Sequence, residues 1–127
     1  MKLIQNKLVN VELDHRIWLN EITFAFKEIM IYQDRILDLI DAYKGKHEES
    51  ELGLMLLSFI EQKLQADQIK EQIQDHLKHM KAKIHANGEL KAIIDTVHHK
   101  TREDIEFFRK EYKKLKEELY QMEAFQN

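Results

Sequence analysis

Apolar side chains recur along almost the whole chain in alternating steps of three and four residues, the spacing that keeps them on one face of an α-helix. The pattern is most regular in the first third of the sequence, where Val11, Trp18, Ile22 and Ile29 belong to it. A similar apolar seam runs through each of the two later thirds. The sequence therefore predicts long amphipathic helices with the heptad spacing of a coiled coil.

Two glycine-containing stretches interrupt this pattern, YKGKHEES around Gly45 and HANGEL around Gly88. Glycine readily adopts the left-handed conformation that ends helices. We therefore predict helices at about residues 3 to 44, 51 to 86 and 89 to 124, with Ser50 as the N-cap of the second. Because short connections make neighbouring long helices antiparallel, the predicted fold is all-α, a single domain over residues 1–127 that forms an up-down-up three-helix bundle.

Composition favours the same fold and excludes several functions. The chain has no proline and only three glycines, and its 20 basic and 23 acidic residues give a net charge of −3. This near balance provides no positive field that would attract nucleic acid. The longest apolar run, LGLMLLSFI, is too short to span a bilayer. We therefore expect a cytoplasmic protein that binds neither nucleic acid nor membranes.

Further apolar residues lie beside the seams and widen the apolar faces of the first two helices. They are Leu19, Phe26 and Ile40 in the first helix and Leu56, Leu77 and Ile84 in the second. Either the three-helix core or a second subunit could cover them. We therefore predict a homodimer, and docking of a different protein partner on the long helices is the other possibility.

Three histidines, His15, His76 and His98, occupy seam positions, one on each predicted helix. His76 and His98 lie at equal distances from Asn87 in the second predicted turn, so antiparallel helices bring them to the same height. The same reasoning about the first turn places His79 level with His15, and His76 about one turn away. The sequence therefore predicts that the histidines converge near one end of the bundle.

Carboxylates surround the same level of the predicted bundle. Glu12 and Asp95 each precede a seam histidine by three residues, while Glu21 and Asp75 lie on neighbouring faces. The chain contains no cysteine, which leaves histidine and carboxylate as the main candidate ligands, and such a set suits Zn, Fe, Cu or Ni. We predict a metal site in which His15, His76 and His98 supply ligands. The residues expected to complete, orient or surround it are His79, Glu21, Asp75, Glu12 and Asp95.

The spacing of Glu12 and His15 resembles the Glu-x-x-His element of ferritin-like di-iron and di-manganese bundles. With aspartate in place of glutamate, Asp95 and His98 repeat it. Those bundles have four helices, however, and here the second helix lacks the required acid spacing. The segment HKTRED, residues 99–104, matches the His-x4-Asp element of hemerythrins, whose other elements are missing. The sequence is assigned to neither family.

Two functions from different classes follow from these observations. One is a small metal-binding bundle. The other is a non-catalytic structural or interaction bundle, in which the three histidines form a hydrogen-bonded polar layer that fixes the register of the helices. Nucleophilic catalysis lacks support, because the only two serines lie away from the histidines and the chain has no glycine-rich phosphate loop.

Overall fold

The computed structural model of the chain describes the backbone of residues 2–82 and 89–124, and the side chains of residues 10–80 and 96–124. These residues form three α-helices, α1 (Lys2–Ala42), α2 (Glu48–Ala82) and α3 (Glu89–Ala124). No strand occurs in the described ranges, so the predicted all-helical class is confirmed. In the same ranges, no helix is both long and apolar enough to pass through a lipid bilayer.

The connection between α1 and α2 turns at Gly45, which has a positive φ of 80°. Its backbone N–H donates to the carboxylate of Glu49 at 2.8 Å, and the N–H of Glu49 donates to the carbonyl of Lys46 at 3.2 Å. These bonds start α2 at Glu48, three residues earlier than predicted. Ser50 therefore lies inside the first turn, and its predicted role as the N-cap is wrong. The second predicted turn, at residues 86–88, lies outside the described residues.

The core consists of the seam positions of all three helices. Ile22, Ile29, Phe59, Ile105 and Leu119 have no accessible surface. Such burial is the main stabilising contribution to a helical bundle, at about 25 cal/mol per Å² of apolar surface removed from water. The apolar seams read from the sequence therefore form the core.

Five of the residues that widen the apolar faces pack against this core and are only partly buried: Leu19, Phe26, Ile40, Leu56 and Leu77. The sixth, Ile84, lies outside the described residues. The five extend the core sideways and do not form an uncovered strip. The more exposed apolar side chains on α1 and α2 are different ones, among them Phe24 and Leu54 at 67% and 66% exposure.

Polar contacts between the helices show which segments are neighbours. From α1 to α3, Asp14 bonds His98 and Arg35 bonds Glu123, so the residue numbers rise together. Between α2 and α3 they run in opposite directions, because Gln62 bonds the carbonyl of Phe108 while His76 bonds Thr101. The segments that carry His15, His76 and His98 are thereby brought together.

Candidate metal centre

The side chains of His15, His76 and His98 form a cluster to which each helix contributes one ring. The ring centroid of His15 lies 5.6 Å from that of His76 and 6.1 Å from that of His98. Trp18 lies against two of the rings, with its centroid 5.2 Å from His15 and 5.3 Å from His98, on which it stacks. We call these three imidazoles the histidine cluster.

His15 is the most deeply buried member, with no accessible surface. Its Nδ1–H donates to the carbonyl of Val11, one helical turn earlier, at 2.9 Å. In the neutral ring, this bond leaves Nε2 unprotonated, as a hydrogen-bond acceptor. The Nε2 atom is buried without a partner among the described residues. An unsatisfied buried polar group costs about 1–3 kcal/mol of stability, so the position of this nitrogen calls for a physical reason.

His76 is positioned by Thr101, a fully buried residue of α3. The Thr101 hydroxyl donates its single hydrogen to the carbonyl of Val97 at 2.8 Å. It must therefore accept the bond from His76, whose Nδ1–H lies 3.3 Å from the hydroxyl oxygen. The Nε2 atom of His76 consequently keeps its lone pair.

His98 is positioned by a carboxylate of α1. Its Nε2 lies 3.0 Å from Asp14 Oδ2, and about a fifth of the His98 side chain is exposed. With the Nε2 proton donated to Asp14, the neutral ring keeps a lone pair on Nδ1. In their neutral forms, the three rings thus each donate one N–H to a separate partner and retain one acceptor nitrogen.

Burial favours the neutral form of two rings in this cluster, those of His15 and His76. It is the largest cause that lowers the pKa of His15 below its ordinary value of 6.5, and the proximity of His98 acts in the same direction. The pKa of His76 is also lowered, chiefly by burial and then by the proximity of His15. Neutral imidazole is the form that binds metal ions, because the coordinating nitrogen must carry a lone pair.

Two of the four carboxylates selected from the sequence pair with arginine side chains. Glu12 pairs with Arg16 at 2.9 Å on the exposed side of α1, and Glu21 pairs with Arg109 at 2.9 Å. Asp75 is exposed, and the side chain of Asp95 lies outside the described residues.

His79 is also exposed, and its Nδ1–H donates to the carbonyl of Asp75 at 2.7 Å. Among the described residues, the structure therefore brings the three seam histidines together, whereas Glu12 and Glu21 pair with arginines and Asp75 and His79 are exposed.

Two residues that contact the histidine cluster were missed in this role. Asp14 directly precedes His15 and lies on the side of α1 that faces α3, while Thr101 is the seam residue one turn after His98. The seam position of Thr101 was a usable signal, because a buried hydroxyl needs a hydrogen-bond partner. Asp14 carried no comparable signal, because it does not occupy a seam position.

Two negative results limit what can be concluded about function. Within the part of the chain that the structure describes, no three histidine, aspartate or glutamate side chains are already arranged to hold a metal ion. No protein-family model, curated protein or solved structure matches the sequence. The assignment therefore rests on the chemistry of the histidine cluster.

Proposed function

We propose that the histidine cluster binds one divalent transition-metal ion, with His15, His76 and His98 as its protein ligands. The observation that carries this proposal is the buried Nε2 of His15, an acceptor that has no partner among the described residues and lies next to two other imidazoles. Three imidazole nitrogens suit Zn, Fe, Cu or Ni.

The hydrogen bonds of the three rings support a metal-binding role. A metal-bound histidine usually donates its other N–H to a carbonyl, a carboxylate or water, which fixes the tautomer and the orientation of the ring. Here the acceptors are the carbonyl of Val11, the hydroxyl of Thr101 and the carboxylate of Asp14. The nitrogens left over are Nε2 of His15, Nε2 of His76 and Nδ1 of His98.

Two of the three ring spacings come close to those around a shared ion. Two imidazoles bound to one tetrahedral ion, with metal–nitrogen bonds of about 2.1 Å, have ring centroids about 5 to 5.5 Å apart. The observed separations from His15, 5.6 Å to His76 and 6.1 Å to His98, are slightly larger. Small rotations of the His76 and His98 side chains, which are less buried than His15, would close this gap.

The second candidate function is a structural bundle in which the histidines form a polar layer. The bonds from His76 to Thr101 and from His98 to Asp14 favour it, because each links two helices. A polar layer is expected to satisfy its own buried groups. Within the described part of the chain, the Nε2 of His15 does not meet that expectation, so the metal site is the better supported function.

Both candidates use the same helix arrangement, an antiparallel up-down-up bundle. It is supported by the contacts of α3, whose residue numbers rise with those of α1 and fall against those of α2. In this arrangement, the cluster lies toward the end of the bundle opposite the turn at Gly45.

A metal titration with a matched pair of variants tests the proposal. Protein treated with chelator is titrated with Zn²⁺, Ni²⁺ and Cu²⁺ by calorimetry, and with Cu²⁺ while the fluorescence of Trp18, the only tryptophan, is followed. We expect binding of one ion per chain with a dissociation constant below about 10 μM. Cu²⁺ should quench Trp18, because its ring stacks on His98.

The matched variants are His98→Ala and His99→Ala. His99 is adjacent in sequence, but its side chain is 74% exposed and pairs with Glu103. The first variant should abolish binding and quenching while retaining its helical circular dichroism, and the second should leave both unchanged. Equal loss in the two variants, or no binding by the original chain, would refute the metal site. A cluster that holds only water would give the latter result.

A further inference from the structure

An open groove lies at the end of the molecule that carries the turn at Gly45. It runs between the first three turns of α2 and the last two turns of α3, and its volume is about 550 Å³. This volume lies within the range of about 300–1,000 Å³ that is usual for binding pockets. We call it the end groove and define it by four of the residues that line it, Tyr43, Glu51, Leu54 and Glu118. Its lining includes no member of the histidine cluster, so the end groove is separate from the proposed metal site.

Apolar side chains from two helices form part of the lining. Leu54 and Met55 come from α2, and Met122 comes from α3. Leu54 is 66% exposed, so the described side chains of the protein do not fill the groove beside it. Methionine side chains are flexible and adapt to the shape of a partner. The end groove therefore offers an adaptable apolar contact to a side chain from outside.

The charged side chains that line the end groove are all acidic. Glu48 and Glu51 come from α2, and Glu118 comes from α3. Within the described ranges, none of the three forms an ion pair. The nearby ammonium group of Lys46 lies instead over the ring of Tyr43, 5.4 Å from its centroid. The groove therefore combines an apolar contact with negative charge that the described residues do not pair.

Charges are arranged differently where α1 meets α3. Opposite charges pair there across the two helices: Glu21 with Arg109, Glu28 with Lys116 and Arg35 with Glu123. In the end groove, carboxylates from α2 and α3 line the same space, with no base among the described lining residues. The positive N-terminal end of α2 stabilises Glu48 and Glu51, whereas Glu118 lies toward the negative C-terminal end of α3. A cation supplied from outside would therefore stabilise this site.

We propose that the end groove binds a short basic segment of a partner protein. One large apolar side chain of the segment contacts Leu54, while flanking lysine or arginine side chains pair with Glu51 and Glu118. Charge complementarity selects this occupant. An acidic or phosphorylated segment would meet like charges, and a wholly apolar segment would bury carboxylates without partners.

The open shape of the groove favours a peptide over a small molecule. A small molecule needs most of its surface buried in order to bind well. A peptide can instead insert one side chain into an open groove and keep its charged side chains at the rim, in contact with water.

Calorimetric titration of the full chain with a model peptide tests the proposal, with chelator present so that metal plays no part. The peptide is an acetylated and amidated hexapeptide in which two leucines are flanked on each side by two lysines. Two control peptides replace the leucines with serine or the lysines with glutamate. At about 50 mM salt, where charge attraction is weakly screened, we expect one peptide to bind per chain with a dissociation constant of roughly 100 μM. Each control peptide should bind at least tenfold more weakly. No binding of the first peptide, or equal binding of the serine peptide, would overturn the proposal.

A matched pair of charge variants locates the binding site. Glu117 and Glu118 are both exposed on α3, but of the two only Glu118 lines the end groove. Glu118→Lys should raise the dissociation constant of the leucine peptide at least tenfold, because it places a like charge against the bound lysines. Glu117→Lys changes the net charge equally and should raise it less than threefold. Equal effects of the two substitutions would overturn the proposal.

A second pair of variants tests the apolar contact. Leu54 and Leu57 are both more than half exposed on α2, but of the two only Leu54 lines the end groove. Leu54→Ser should weaken binding of the leucine peptide at least fivefold, and Leu57→Ser should leave it within twofold of the original value. Both variants should retain the helical circular dichroism of the original chain, because the substituted side chains are exposed. A similar affinity in the two variants would contradict the proposed contact with Leu54.

Discussion

Replacing His15 with leucine should stabilise the metal-free protein, even though His15 lies at the centre of the histidine cluster. The substitution removes the buried, unpaired Nε2, which costs about 1–3 kcal/mol. It also removes the bond from Nδ1 to the Val11 carbonyl, with a net value of about 0.5–1.5 kcal/mol. Leucine has a similar volume and no polar atom. We therefore expect the free energy of unfolding to rise by about 1 kcal/mol, and the proposed metal site to be lost.

Urea unfolding followed by circular dichroism measures this change. Both proteins are compared at one protein concentration, because association affects apparent stability, and at about pH 7.5, above the titration range of histidine. The control His99→Leu alters an exposed side chain and should change the free energy of unfolding by less than about 0.5 kcal/mol. A loss of stability of 1 kcal/mol or more in His15→Leu would refute the reasoning, because it would show that the folded protein satisfies the buried nitrogen.

Three further predictions concern pH, the glycines and the core. The free energy of unfolding of the metal-free protein should fall as the pH drops below about 6.5, by up to about 1.4 kcal/mol per pH unit for each ring. Burial lowers the pKa of His15 and His76 in the folded protein, so the unfolded chain takes up protons at a higher pH. Urea unfolding across this range checks it, and an increase in stability would contradict it. Gly45→Ala should lower the free energy of unfolding by about 1–2 kcal/mol, because Gly45 has a positive φ. Gly53→Ala, within α2, should raise it by about 0.5–1 kcal/mol, because the added Cβ meets nothing within 4 Å. Thermal unfolding measures both changes in stability, and changes of the same sign would contradict the prediction. Phe59→Ala should lower the free energy of unfolding by about 3–5 kcal/mol, because it opens a cavity at a fully buried side chain. A decrease below about 1 kcal/mol in denaturant unfolding would show that the core collapses around the site.

The core was predictable because helical periodicity determines which residues share a face, whatever the partner helices are. His15 and Trp18 were assigned to the interior from spacing alone, and both are buried. The start of α2 was less predictable. Competing local signals decide it, and the bond from Gly45 to the carboxylate of Glu49 begins the helix before Ser50.

The surroundings of the histidine cluster depended on how the helices rotate against each other, which periodicity does not specify. Asp14 lies on the flank of α1 next to α3 and reaches His98, whereas Glu21 meets Arg109 farther along the same flank. Both acids were available to the sequence argument, and only the three-dimensional arrangement separates their roles. The exposure of Phe24 was missed for another reason, since apolar side chains opposite a seam follow no packing rule within one chain.

The order in which the chain is synthesised bears on when the histidine cluster can form. Asp14 and His98 are 84 positions apart, whereas α1 and α2 are joined by the few residues after Ala42. Shorter loops close at a lower entropic cost, and local contacts form earlier. On the ribosome, α1 and α2 can therefore pack together while α3 is still being translated. The cluster would then contain only His15 and His76 until the last third of the chain supplies His98. An ion could be bound by all three rings only after His98 has been translated, and it would then link α3 to α1 and α2.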